Sequence, residues 1–320
     1  MSSRVAALFL SLISFSAGLL AVWLIASWLA PWDYYVISTP GYRAPDPILG
    51  WRPAHPGIYH ERRFDPHSNA TIYDADYTID DALQRKTISC EKCGTIAFFG
   101  DSLTFGTGLE DADTLPQQVA NRLPQYRIVN LGLPGSGAQQ FLRELETGIF
   151  DKAIGSTPDL FVYLTGTWMV ARSACKESWV GPAPRYELEN GSVVYKGICA
   201  DKNVLPQWMR KTPIYHAFIE PIVRRIDRRD IDLDVAILLK AAEIAKSKYG
   251  VPTLFLHIDE DAVTEQIVSR LGEAGQRTLD LAIRRDGLVI SGDGHPTALA
   301  NRLRADMISH YLQSSQFALH

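Results

Sequence analysis

The sequence predicts an α/β domain built on a parallel sheet, and three observations carry that prediction. Short apolar runs recur at Thr95–Phe99, Arg127–Leu131, Leu160–Leu164 and Val251–His257, each bounded by turn residues. Stretches with helical spacing lie between them. The runs do not alternate apolar with polar, so both faces of each strand are expected to be buried, as they are when helices cover a parallel sheet on both sides.

At the N-terminus, Val5 to Ala30 holds no charge and no proline. A membrane span needs about 20 apolar residues, and this run is longer. Its end, Ala26-Ser-Trp-Leu-Ala30-Pro, is bulky and lacks the small-x-small pattern of a signal-peptidase site. The expectation is an uncleaved anchor over residues 1–31. Arg4 precedes the run and Arg43, Arg52, Arg62 and Arg63 follow it, so basic residues alone do not set the orientation. Residues 32–93 are rich in Pro, Tyr and His and weakly periodic. They predict an irregular lead-in with short strands, one of them Thr71–Ile79.

The α/β domain is expected over residues 94–320. Leu115–Leu123 reads as its first helix. Ala138–Ile149 places Phe141, Leu142, Leu145 and Ile149 on one helical face. The alternation then breaks at an insertion of about residues 172–230. Within it, Tyr186-Glu-Leu-Glu-Asn190-Gly191-Ser-Val-Val-Tyr195 sets Asn-Gly between alternating residues, a strong hairpin signal. Residues 200–230 form an aromatic and basic connection of no clear period. The pattern resumes with a helix at Ile231–Tyr249 ended by Gly250. It continues with a helix at Ala262–Leu271, a short fifth strand at Leu279–Ile283 and a last helix at Pro296–Tyr311, with proline in its first turn.

Composition narrows the function. Of 320 residues, 46% are apolar and 21% charged, ordinary globular values that argue against disorder. The net charge of −4 offers no basic field for nucleic acid, and that class of partner is set aside. Four cysteines, Cys90, Cys93, Cys175 and Cys199, form an even set that suits disulfides outside the cytosol. Three pairings are open. Cys175 with Cys199 would close the insertion, and Cys90 with Cys93 would form a tight ring. Cys90-Glu-Lys-Cys93 precedes a strand, whereas a thioredoxin-type motif follows one. A four-cysteine zinc site usually offers two close pairs, and Cys175 and Cys199 are far apart. His55, His60 and His67 show no ligand spacing, and His257 lacks enough neighbours for a metal, so none is expected.

Three turns carry chemistry. Ser102 stands in Phe99-Gly100-Asp101-Ser102-Leu103-Thr104-Phe105-Gly106, directly after the first strand, where ligands of doubly wound sheets bind. The plain alternative is an Asp-Ser cap opening a helix. His295 stands in Gly292-Asp293-Gly294-His295-Pro296. Serine is a weak nucleophile until a base takes its proton, histidine does so near neutral pH, and a carboxylate usually fixes the imidazole tautomer. Asp293 is the nearest carboxylate. Asn130-Leu-Gly132-Leu-Pro134-Gly135-Ser136-Gly137 joins the second strand to a helix and offers a backbone N–H, that of Gly135, for an oxyanion. It lacks the spacing of a P-loop or a dinucleotide fingerprint.

Together, Gly100-Asp101-Ser102-Leu103, Asn130-Leu-Gly132-Leu-Pro-Gly135 and Asp293-Gly-His295-Pro resemble the SGNH (GDSL) hydrolases, and within them the membrane-anchored bacterial members. Asp46-Pro-Ile-Leu-Gly50-Trp51, Tyr77-Thr-Ile-Asp80 and Thr104-Phe-Gly106-Thr-Gly108-Leu add to that likeness. It runs from about residue 45 to 313 and is thinnest between 172 and 250. The resemblance implies a flavodoxin-like sheet and hydrolysis or transfer of an ester-linked acyl group without a cofactor. It implies Ser102 as nucleophile, His295 as base, Asp293 as its partner, and the N–H groups of Ser102 and Gly135 as oxyanion donors.

Two departures stand out. Acid and base are spaced Asp-x-His instead of Asp-x-x-His, a form shared with SGNH-like polysaccharide acetyltransferases. The family's oxyanion asparagine is missing from Tyr163-Leu-Thr165-Gly166-Thr167-Trp168-Met169. Loss of one oxyanion donor costs about a hundred- to thousandfold in rate. The hydroxyls of Thr165 and Thr167 are the candidate replacements. Asp101 and Arg172 are candidate substrate-binding residues, Arg172 for an anionic group, with a salt bridge as the plainer role for that arginine. The expected substrate is an acylated small molecule, lipid or glycan, met by a membrane-anchored domain in the periplasm or outside the cell. The alternatives are O-acyl transfer to an envelope polysaccharide through the same serine, and a non-catalytic binding subunit on the same fold.

Overall fold

The computed structural model describes residues 3–29, 35–65, 67–156, 158–202, 207–210 and 212–314. The ends of the expected anchor, residues 1–2 and 30–31, lie outside them. The chain divides into two compact units, one of residues 1–33 with 203–225, the other of residues 34–202 with 226–320.

In the first unit, Ser3–Leu29 forms one helix, α1. Its stretch Ala7–Leu29, 23 residues of mean hydropathy 2.3, is long and apolar enough to cross a membrane.

The second unit begins with strands β1 (Tyr35–Ser38), β2 (Ala44–Asp46), β3 (Gly50–Arg52), β4 (Gly57–Phe64) and β5 (Thr71–Ile79). Sequence periodicity is weak here, yet β1, β4 and β5 make an ordered antiparallel sheet in the order β1-β4-β5. One face of β5 supplies the signal: Tyr73, Ala75, Tyr77 and Ile79 alternate inward. Tyr42, Tyr59, Ala75, Tyr77, Ile79 and Phe105 then form a small aromatic core.

The main sheet consists of β6 (Thr95–Gly100), β7 (Arg127–Gly132), β8 (Pro158–Leu164), β11 (Thr253–His257) and β12 (Arg277–Asp280), all parallel, in the order β12-β11-β8-β6-β7. Counted along the chain this is order 2-1-3-4-5, the flavodoxin-like winding, with its switch point between β6 and β8.

Burial on both faces follows from residue alternation. Ala97, Phe99, Phe161, Tyr163 and Phe255 face helices α4 (Ala138–Thr147), α6 (Thr167–Ser173) and α9 (Arg228–Tyr249). Ile96, Phe98, Val162, Leu254 and Leu256 face α3 (Leu115–Arg122) and α11 (Ala298–Gln313), which pack on each other. The short helices α2 (Ser102–Phe105) and α5 (Asp151–Ile154), and α10 (Ala262–Glu273), complete the α/β layers.

Several boundaries shift from the sequence reading, each for a local reason. The helix expected to reach Ile149 stops at Thr147 because Gly148 turns left-handed at φ 65°. The last helix starts two residues after Pro296, where Thr297 caps it by accepting the Ala300 N–H. The fifth strand is Arg277–Asp280 instead of Leu279–Ile283, because the Asp280 carboxylate accepts the Ala282 N–H and turns the chain.

The hairpin forms as the Asn-Gly signal predicts, with β9 (Pro184–Glu189) paired to β10 (Ser192–Ile198) across Asn190 and Gly191, both at positive φ. Disulfides join Cys175 to Cys199 and Cys90 to Cys93, so the insertion is closed at its base.

Arg85 ties the lead-in sheet to the main sheet. Its backbone bridges Ile79 of β5 and Asn130 of β7. Its buried guanidinium donates to the Asp111 carboxylate at 2.6 Å and to the Leu109 carbonyl at 2.7 Å. It also lies 4.4 Å from the Tyr77 ring centroid and 4.9 Å from that of Phe105, cation–π contacts worth about 0.5–2 kcal/mol each.

Candidate active site

The site lies at the carboxyl ends of β6, β7 and β8, beside the switch point. Gly100 ends β6 at φ 149°, and a Cβ there would meet Thr104 Oγ1 at 2.4 Å. That close approach lets the chain turn directly into α2. Asp101 caps α2 by accepting the Leu103 N–H at 2.9 Å, and Gly106 closes it in the left-handed region. The Asp-Ser cap and the candidate nucleophile are therefore one structure.

The turn after β7 presses against this one. Asn130 donates to the Thr104 carbonyl at 3.1 Å and accepts the Gly132 N–H at 3.0 Å. A Cβ on Gly132 would meet the Phe105 nitrogen at 2.3 Å, so only glycine permits the contact. Farther along, Leu133 N–H bonds Gly100 O, Ser136 N–H bonds Leu133 O and Gly137 N–H bonds Gln140 Oε1. These bonds hold Gly135 at φ 82° at the tip of the turn. Trp51 Nε1 donates to the Pro134 carbonyl at 2.9 Å, which gives the Asp46–Trp51 motif a structural role in pinning this turn.

His295 arrives from the far end of the chain. Its turn is closed by Ile290 N–H to His295 O at 2.7 Å, with Gly292 and Gly294 both at positive φ. The result places His295 Nε2 2.8 Å from Ser102 Oγ, and His295 Nδ1 on Asp293 Oδ2. Burial pushes the Asp293 carboxyl up. The hydrogen bond and charge of His295, with the charge of Arg63, outweigh it and hold the group below the ordinary carboxylate range.

No protein-family model and no curated protein matches the chain. Solved structures similar to it include a member of the lipolytic G-D-S-L family from Veillonella parvula, at 16% identity and TM-score 0.42 over 68% of this chain and 97% of that one. A putative G-D-S-L lipolytic protein from Desulfitobacterium hafniense matches at 15% identity and TM-score 0.40, over 68% and 98%. The psychrotrophic esterase EstA from a Pseudoalteromonas species matches at 12% identity and TM-score 0.41, over 69% and 100%.

The other predicted site residues fall into distinct places. Asp101 is fully buried. Its Oδ2 accepts Trp168 Nε1 at 2.8 Å and Arg172 Nη1 at 2.6 Å. Arg172 Nη1 also donates to the Ser136 carbonyl at 2.7 Å. Asp101 and Arg172 thus form an internal ion pair that joins α6 to both turns. Thr167 starts α6, and its hydroxyl bonds Asp261 and, at 3.1 Å, Thr264. Thr165 is fully buried, and its hydroxyl has no hydrogen-bond partner among the described residues. No group of three or more His, Cys, Asp or Glu side chains among the described residues could hold a metal.

Two residues of the site were not read from the sequence. Arg63, on β4, pairs its Nη1 with Asp293 Oδ1. Trp179 donates to the Gly135 carbonyl at 3.3 Å, and its ring lies 6.0 Å from Arg172 Cζ. Arg63 stands in Gly-Ile-Tyr-His-Glu-Arg-Arg-Phe, whose alternation marks a strand but says nothing of a partner in a turn near the other end of the chain.

Proposed function

We propose that the protein is a serine esterase of the SGNH type, acting on an ester-linked acyl group through an acyl-serine intermediate. The observation that carries this reading is the 2.8 Å contact of Ser102 Oγ with His295 Nε2, with Asp293 on the other ring nitrogen.

In this mechanism Ser102 Oγ attacks the acyl carbon while His295 Nε2 takes its proton. The N–H groups of Ser102 and Gly135 receive the oxyanion. The tetrahedral species collapses, the C–O bond to the leaving alcohol breaks, and that alcohol takes the proton from His295. Water then repeats the sequence on the acyl-serine and releases the acid. Asp293 holds the imidazole tautomer and stays ionised, which suits its depressed pKa.

α1 and the two disulfides support a membrane anchor with the catalytic unit outside the cytoplasm.

The test is release of p-nitrophenol from its acetyl ester by the purified full chain, together with labelling by a fluorophosphonate probe. Both should vanish in Ser102→Ala. Equal hydrolysis in the two proteins overturns the nucleophile assignment. A folded protein that neither hydrolyses the ester nor takes the probe favours a binding subunit.

A further inference from the structure

Residues 207–225 share the first compact unit with α1 and carry an apolar face that the fold does not cover. Helix α7 (Gln207–Arg210) leads to a π-helical turn at Tyr215–Ile219, which packs against α1 and runs on into α8 (Glu220–Val223). Tyr215 and Glu220 point inward, and Glu220 pairs with His216 Nδ1 at 2.6 Å. Trp208 is 69% exposed, Phe218 43%, Ile222 64% and Val223 39%. Phe218 and Ile222, four residues apart, share one helical face.

Charge separates this segment from the rest of the protein. Arg210, Lys211, Arg224 and Arg225 against Glu220 give it a net charge of +3, in a chain whose net charge is −4. Exposed large apolar side chains with a tryptophan at one end, and the exposed Arg224 and Arg225 at the other, are the chemistry of a segment lying in a bilayer interface, where the indole sits at headgroup level and basic groups meet anionic lipid. The unit already contains the one described helix long and apolar enough to span a membrane.

We propose that residues 207–225 are a second membrane contact, lying in the interface beside α1 with Trp208, Phe218 and Ile222 in the acyl boundary of an anionic bilayer. This rests on reading α1 as a retained anchor. The expected consequence is a unit held by one span and one interfacial segment.

The full chain is reconstituted in vesicles of phosphatidylcholine and phosphatidylglycerol in equal amounts, with and without bromine on the acyl chains, which quenches tryptophan by contact. Emission lost in Trp208→Phe gives the share of Trp208, and that lost in Trp23→Phe gives the share of Trp23, which reports on α1. Brominated lipid should lower both shares, that of Trp208 by about twofold or more, whatever the protein density in the membrane. Ile222→Trp placed in the Trp208→Phe protein should be quenched likewise.

If Trp23 is quenched and neither Trp208 nor the tryptophan at 222 is, the anchor stands and the interfacial segment is wrong. Quenching of Trp208 that weakens as protein density rises shows another copy covering this face, and also overturns it. If Trp23 is not quenched, the anchor reading fails and takes this proposal with it, while leaving the esterase assignment untouched.

Discussion

Arg63 and Asp293 lie 230 positions apart and pair inside the site, with Nη1 of the arginine on Oδ1 of the carboxylate. The Asp293 side chain is fully buried and that of Arg63 is 18% exposed. Oδ2 is left to His295, so the carboxylate is oriented from both sides. Its pKa is depressed, so its stabilising contribution is complete above the unfolded-state value of about 3.9 and is lost as pH falls through the lower folded value. Arg63→Met is expected to raise that folded value, so that the stability it supplies is lost at a higher pH on acidification. The rate should fall about tenfold, a fraction of the roughly 10²–10⁴-fold that general base catalysis supplies. Arg63→Lys should restore most of the rate. Acid unfolding and kcat/KM of the three proteins check this, and an unmoved acid-unfolding midpoint in Arg63→Met refutes it.

Thr165 and Thr167 are expected to separate cleanly. The Thr165 hydroxyl is buried without a hydrogen-bond partner among the described residues, whereas that of Thr167 is held by Asp261 and Thr264. If Thr165 donates to the oxyanion, Thr165→Val lowers kcat by about 10²–10³-fold with little change in KM, and Thr165→Ser retains the rate. Thr167→Val should instead cost about 1 kcal/mol of stability through the start of α6. Steady-state kinetics and thermal unfolding of the three variants decide it.

Removing Arg172 leaves the carboxylate of Asp101 buried with the Trp168 indole and the Leu103 N–H as its donors. Breaking a buried pair in this way costs about 3–5 kcal/mol, so Arg172→Met should lower Tm by several degrees or more. A variant with unchanged Tm but raised KM for anionic esters would return Arg172 to the substrate-binding role considered from the sequence.

Asp234 of α9 offers a test away from the chemistry. Desolvation raises its pKa to about 7, although the Ser173 hydroxyl, 2.6 Å away, favours the charged form. The folded chain therefore holds this proton more tightly than the unfolded chain. Stability from this group is complete below the unfolded value of about 3.9 and falls as pH rises toward 7. Asp234→Asn should flatten that decline and be the more stable protein at pH 8, by up to about 4 kcal/mol. Chemical denaturation at pH 5 and pH 8 measures it, and a wild-type profile no steeper than that of the variant contradicts it.

The sheet was legible because its strands are continuous apolar runs such as Leu160–Leu164, a pattern that survives without knowledge of tertiary partners. The turns bearing Ser102, Gly135 and His295 were legible because glycine and a cap residue fix their shape locally. The lead-in looks irregular in sequence because its core is a set of tyrosines, Tyr42, Tyr59 and Tyr77, which periodicity scales treat as half polar. Arg63 stayed hidden for a different reason: its meaning depends on a partner supplied by the last turn before α11, and no local spacing encodes a pairing at that distance. The order of the strands in space, which puts β6 beside both β7 and β8, was likewise outside what local pattern can state.

The bridge made by Arg85 and the pairing of Arg63 with Asp293 have a practical consequence for modularity. The segment before β6 looks like a detachable spacer between α1 and the main sheet, and an expression boundary at residue 94 would be the natural choice. Such a fragment would lose Arg63 and Arg85 and strip the aromatic cover from Phe105, three residues from Ser102. The smallest autonomous piece is therefore larger than its sheet, and transplanting the turns of Ser102, Gly135 and His295 without β4 and β5 would carry over the letters of the site without its support.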